Sequence, residues 1–260
     1  LRMTTQALPP GEEEAPQGQP LLEHLRELRK RIIVVMAILA VGVAVCFEYA
    51  DPLYRVLMAP LVEAMGDSGK LIYTGLPEVF FTYLKVAILA AFILTSPLTF
   101  YQIWAFVAPG LYRSEKRGFL AFVVGSVGLF ALGAAFAYFL VFPLIFKFFL
   151  GFANETIEAL PAVKEYLSLV VKLIFAFGVA FEVPLICLVL AKVGILTPRA
   201  MAEKRRYVYV GMFVIGALLT PPDVISQVML AIPMILLFEV GVALARWIYP
   251  ESQEDETSSA

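Results

Sequence analysis

The sequence predicts an all-α fold: a polytopic membrane protein with six transmembrane helices, two of them short. A curved, concave arrangement is expected, with both termini cytoplasmic (N-in/C-in). Three observations lead there. The 260 residues are 60% hydrophobic and 16% charged, with a mean hydropathy of +0.83, too apolar to cover the surface of a soluble domain. The apolar residues gather into long runs without charge. The basic residues collect in alternate gaps between those runs.

Residues 1–20 are rich in Pro, Glu, Gly and Gln and are expected to form a disordered cytoplasmic tail. They carry no basic segment leading into an apolar core, so no cleavable signal peptide is expected and the first span directs its own insertion. From residue 21 to 31, Leu21, Leu25 and Leu28 recur at helical spacing, giving an amphipathic cytoplasmic helix that runs into a first span at about 28–49. Further spans are expected at about 78–106, 118–143 and 165–192, the last carrying Lys172 and Glu182. Thr220-Pro-Pro-Asp223 then separates a fifth span (206–220) from a sixth (224–246), because paired prolines break a helix and Asp223 can cap the next. The membrane domain thus covers 21–249, and the acidic residues 250–260 form a second disordered cytoplasmic tail.

Orientation follows from loop charge. One side collects Arg26, Arg29, Lys30, Arg31, Arg113, Lys116, Arg117, Lys192, Arg199, Lys204, Arg205, Arg206 and Arg246. The other holds Arg55, Lys70, Lys147 and Lys164, so the positive-inside rule puts both termini in the cytoplasm. Tyr207 to Pro222 and Val224 to Phe238 contain only sixteen and fifteen charge-free residues. At ~1.5 Å per residue that is roughly 24 Å against a hydrocarbon core of ~30 Å, so local thinning of the bilayer is expected. Pro97, Pro109, Pro143, Pro184 and Pro233 lie within or at the ends of spans. Kinks there serve either a concave surface or packing alone.

Several function classes are excluded or disfavoured. A net charge of −2 does not suggest nucleic acid. Cys46 and Cys187 lie in apolar runs without a CxxC or His/Cys neighbour, so they read as packing residues, with neither metal nor cofactor expected. The only histidine, His24, is outside the spans, which removes an intramembrane Ser–His dyad, and no GxxxxGK[ST] motif occurs. Gly125-Ser-Val-Gly128 reads as small residues at a helix interface. An enzyme is not expected.

The carboxylates carry the functional signal. Glu182 sits inside an apolar span, where an ionisable group costs of order 3 kcal/mol on insertion scales, so it is either a functional site or hydrogen-bonded between helices. Glu27 and Glu115 stand beside basic clusters just outside the membrane. Glu27 also suits an i,i+3 or i,i+4 pair with Lys30 or Arg31, and Glu115 suits the macrodipole of a helix start. Glu239, Lys85 and Lys172 lie near span ends and read as snorkelling side chains.

Several motifs occur in order: His24-Leu-Arg-Glu-Leu-Arg-Lys-Arg31, Pro109-Gly-Leu-Tyr-Arg-Ser-Glu115, Phe177-Gly-Val-Ala-Phe-Glu-Val-Pro184, Thr220-Pro-Pro-Asp-Val-Ile-Ser-Gln227, Ala231-Ile-Pro233 and Phe238-Glu239. In these, over about residues 20–249, the chain resembles TatC, the multispanning receptor subunit of the twin-arginine protein translocase. Glu23 departs from the Ser or Thr that the family often has before the His, which touches helix capping.

The resemblance implies a receptor for twin-arginine signal peptides that helps export folded proteins across the bacterial inner membrane, driven by the proton-motive force. It implies that Glu27 and Glu115 receive the arginine pair, with Phe106 and Pro60 at family positions linked to function. Glu182 matches an intramembrane polar site that meets a partner helix or a signal peptide. Asp223 and Gln227 match an outer-side motif, although Asp223 equally suits a helix cap. The implied partners are signal peptides with folded cargo, TatA- and TatB-type single-span subunits and the lipid bilayer, and the translocase also admits a homo-oligomer of the chain. The rival reading is a proton-coupled small-solute transporter, which the lack of an internal repeat disfavours.

Overall fold

The computed structural model describes residues 19–66, 71–73, 75–107, 116–152, 160–219 and 224–249. Both expected tails, apart from the first helical residues, lie outside them. So do Pro109, Glu115 and Asp223. The fold is all-α, with one isolated parallel β-bridge between Ile72 and Ala162 among the described residues. The helices are α1 (Gln19–Glu48), α2 (Ala50–Met65), α3 (Glu78–Val107), α4 (Lys116–Phe136), α5 (Phe142–Leu150), α6 (Val163–Ala180), α7 (Val183–Lys192), α8 (Pro198–Glu203), α9 (Arg205–Leu219) and α10 (Val224–Ile248). As expected, the amphipathic segment and the first span form one helix.

Among the described residues, five helical segments are long and apolar enough to cross a membrane: Glu23–Glu48, Glu78–Val107, Gly118–Leu150, Val163–Lys192 and Val224–Ile248. α9 has 15 residues, about 22 Å at ~1.5 Å per residue. Of the two short spans expected, only α9 is short. α10 has 25 residues because Glu239 does not end it. That carboxylate accepts from Arg205 Nη2 at 2.6 Å and from Tyr209 Oη at 2.5 Å, so the helix carries it through to Ile248.

Two further departures trace to proline. The segment expected at 118–143 extends to Leu150 through a π-helical turn, Ala137–Val141, in which Phe142 N–H bonds Ala137 O. Pro143 follows directly; it has no N–H to return to the preceding turn, and the widened turn absorbs the mismatch. The 165–192 span is broken at Phe181–Glu182, where Glu182 N–H turns back to Val179 O at 3.1 Å. Pro184 cannot donate to Ala180 O, so α6 ends there and α7 restarts. The sequence reading did not anticipate α2, an amphipathic helix across one end of the molecule.

Small residues allow the close approaches on which the assembly rests. A Cβ on Gly42 of α1 would fall 2.9 Å from Thr95 Cγ2 of α3. One on Gly241 of α10 would fall 2.9 Å from Pro184 Cα at the start of α7. α6 is the hub: Leu167, Val170, Leu173 and Phe177 are fully enclosed. Outside, large apolar side chains such as Val41, Val124 and Phe139 stand exposed, the surface a lipid-facing bundle presents.

α2 is fixed by tyrosine hydroxyls. Pro60 lies inside α2 and cannot donate to Val56 O, and Tyr138 Oη donates there instead at 2.7 Å. Tyr166 Oη donates to the next carbonyl, Leu57 O, at 2.7 Å. At the same end, Ile72 N–H bonds Pro161 O at 3.2 Å and Val163 N–H bonds Ile72 O at 3.0 Å. Glu78 Oε1 accepts from Lys164 N–H at 3.0 Å, capping the start of α6. Tyr138→Phe is expected to cost about 1 kcal/mol of stability. In a Pro60→Ala background, which restores the helical donor, the cost should shrink. Thermal unfolding of the four proteins in detergent measures the coupling, and an equal cost in both backgrounds would refute it.

Candidate functional site

Two of the expected carboxylates, Glu27 and Glu182, each lie in a polar constellation. The first lies where the start of α1 meets the end of α3. His24 stacks on Phe106, with ring centroids 4.4 Å apart and planes 17° from parallel. One turn along α1, Arg31 reaches Glu27 Oε1 with Nη2 at 2.5 Å and Nε at 3.1 Å. Its Nη1 donates to Gln102 Oε1 of α3 at 3.1 Å. The i,i+4 partner expected for Glu27 is therefore present, and it is Arg31. The ion pair is lopsided: the Glu27 side chain is 44% exposed and that of Arg31 is 23% exposed. The guanidinium is held between the helices, and the carboxylate is the more exposed of the two partners. Helical spacing puts residues 24, 27 and 31 of α1 on one face, and residues 102 and 106 of α3 on another. Glu27 and Phe106 thus belong to one surface.

The second constellation crosses the bundle. Glu182 is 6% exposed and sits at the α6–α7 break. Ser126 of α4 donates to Glu182 Oε2 at 2.8 Å, and Trp104 of α3 donates through Nε1 to Ser126 Oγ at 2.7 Å. The serine hydroxyl spends its one proton on the carboxylate and accepts the indole N–H, so the chain of donors runs from Trp104 to Glu182. Glu182 Oε1 is buried and takes no hydrogen bond among the described residues. A buried acceptor without a donor is rare in a folded protein and marks the position as one that calls for a reason. Sequence reasoning missed Ser126 and Trp104. Gly125 approaches Leu185 at ordinary contact distance, whereas a Cβ on Gly128 would meet nothing within 4 Å. The expected small-residue interface is therefore confined to Gly125. The overlooked signal was a lone serine in an otherwise apolar run.

The remaining expected site residues are scattered. Pro60 is buried in α2, at the far end of α1 from Glu27, and is not brought together with it. Gln227 Nε2 donates to Phe213 O of α9 at 2.9 Å, a tie between α9 and α10. Cys46 and Cys187 are buried free thiols, in keeping with packing roles. No cluster of metal-ligating side chains occurs among the described residues.

Ser126→Ala is expected to cost about 1–3 kcal/mol, the penalty for stranding a buried carboxylate oxygen and an indole N–H. It should also shift the emission of Trp104, one of two tryptophans. Ser126→Thr should keep both properties. Unchanged fluorescence and unfolding in Ser126→Ala would show that the relay is not formed.

Known proteins resemble the chain over nearly all its length. Residues 23–233 match the family model "Sec-independent protein translocase protein (TatC)". Three proteins described as Sec-independent protein translocase protein TatC serve as examples. That of Desulforapulum autotrophicum is 44% identical over 244 residues, covering 94% of this chain and 90% of that protein. That of Magnetococcus marinus is 46% identical, covering 93% and 89%. That of Escherichia coli K12 is 42% identical, covering 92% of each. A solved structure described as the twin arginine translocase receptor TatC superimposes with a TM-score of 0.79 at 42% identity, over 86% of this chain and 98% of that one.

Proposed function

The chain belongs to the TatC family of Sec-independent protein translocase proteins, and on that premise we propose that it is the receptor for twin-arginine signal peptides. As a member it is a multi-pass membrane component of a protein translocase, not an enzyme, and a solute-transporter role is not favoured. The observation that carries the receptor reading is the α1–α3 surface: a half-exposed carboxylate, Glu27, paired with a guanidinium that Gln102 also grips. An incoming arginine replaces Arg31 at the carboxylate like for like, while Gln102 keeps Arg31 in place. A planar guanidinium makes two parallel bonds to a carboxylate and lysine cannot, which gives preference for an arginine pair over a lysine pair. Glu115 receives the second arginine. The His24–Phe106 stack supplies a flat apolar flank for the residues that follow the pair.

In this reading the receptor surface is cytoplasmic, because it includes the basic start of α1 and the positive-inside rule assigns the sequence's basic side to the cytoplasm. α9 is the fifth of six spans and thins the bilayer locally, on a concave side of the bundle. Both termini face the cytoplasm of a bacterial inner membrane. The open Oε1 of Glu182 meets a polar group of a TatA- or TatB-type single-span partner, and the proton-motive force drives passage of folded cargo. Asp223 and Gln227 serve the opposite side.

Binding of a twin-arginine signal peptide to the detergent-solubilised chain, with a twin-lysine peptide as control, tests the assignment. Glu27→Ala and Glu115→Ala should each weaken twin-arginine binding by roughly 10- to 100-fold, the worth of a charged hydrogen-bonded contact, with little effect on twin-lysine. Equal binding of both peptides to all three proteins would overturn it.

A further inference from the structure

Between α2, α5 and α6 lies a cavity of about 460 Å³. Leu61, Phe146 and Phe149 give it apolar walls, and Glu165, Ser168 and Lys172 interrupt them. These three fall at i, i+3 and i+7 along α6, on one face of the helix. Lys172 lies nine residues into α6, about 13 Å along the axis. A cation at that depth is costly unless paired. No hydrogen bond or ion pair reaches it among the described residues. Helical side chains lean toward the helix N-terminus, so its ammonium points back toward Ser168 and Glu165. Ser168 Oγ accepts from Lys85 Nζ at 3.0 Å, which leaves its own O–H to donate. The deeper polar part of the cavity therefore offers the Lys172 ammonium and the Ser168 hydroxyl, and the part nearer the start of α6 offers the Glu165 carboxylate.

We propose that this cavity is a binding site for a phosphatidylethanolamine-type phospholipid from the adjoining leaflet. The phosphate sits against Lys172 and Ser168. The headgroup ammonium, which lies outward of the phosphate in a bilayer, meets Glu165, one to two turns nearer the start of α6. The order of charges along α6 matches that of the headgroup. Leu61 and the two phenylalanines cover the glycerol and the first methylenes, and the chains continue into the bilayer. The site does not depend on the receptor assignment, since it lies at the other end of the spans from Glu27 and uses none of its residues.

Native mass spectrometry of the full chain in detergent tests this, after titration with phosphatidylethanolamine, phosphatidylglycerol or diacylglycerol. Wild type should retain phosphatidylethanolamine over diacylglycerol by about tenfold. Lys172→Ala should lower both phospholipids to the diacylglycerol level. Glu165→Gln should erase the preference for ethanolamine over glycerol and leave phosphatidylglycerol retention intact. Leu169→Trp, which fills the cavity and leaves the charges in place, should also abolish retention and guards against a folding defect in the lysine variant. Retention unchanged by Lys172→Ala and Leu169→Trp would overturn the proposal. So would diacylglycerol bound as well as the phospholipids, or phosphatidylglycerol preferred in wild type.

Discussion

Inside a bilayer a backbone carbonyl without a donor has no water to turn to, and the architecture of this chain follows from how it meets that constraint. Proline removes a donor each time it enters a helix, and at Pro60, Pro97, Pro143 and Pro184 the fold answers in four different ways. In α2 the freed Val56 carbonyl takes the hydroxyl of Tyr138. In α3, Pro97 frees Ile93 O, and Ser96 Oγ of the preceding residue donates to it at 2.7 Å. Before Pro143 the ladder widens into a π turn. Before Pro184 the helix stops and restarts. The last remedy has the largest consequence, because the break is where Glu182 resides.

A carboxylate at a helix break differs from one in mid-helix. Its own backbone is already out of register, so the side chain can reach a neighbouring helix without straining a regular turn. Ser126 meets it there, and Trp104 orients the serine. The relay begins on α3 two residues before Phe106, which belongs to the α1–α3 surface. Spacing of two residues sends the two rings to opposite faces of α3. One helix end thus serves both constellations, so a shift of α3 alters the environment of Glu27 and Glu182 together.

Much of this was legible in the sequence, because hydrophobic runs, loop charge and motif order each report a property that one residue type controls. The helix from residue 19 to 48, the burial of Glu182 and the local partner of Glu27 all follow from spacing. What escaped depends on pairs far apart in the chain. Gln102 on Arg31 and Ser126 on Glu182 are separated by 71 and 56 positions, and no local pattern announces either. α10 was read as a short span for the same reason: Glu239 ends its charge-free run, and only the fold shows Arg205 and Tyr209 holding that carboxylate. α2 was missed because it is too short and too mixed in character to register among long apolar runs.

The stitch between the α2–α3 and α5–α6 connections uses only main-chain atoms: Ile72 with Pro161 and with Val163. Such bonds do not depend on which side chains the loops carry. The rim can therefore drift in sequence while α3 and α6 keep their separation, and the same frame can present a different outward face from one lineage to the next.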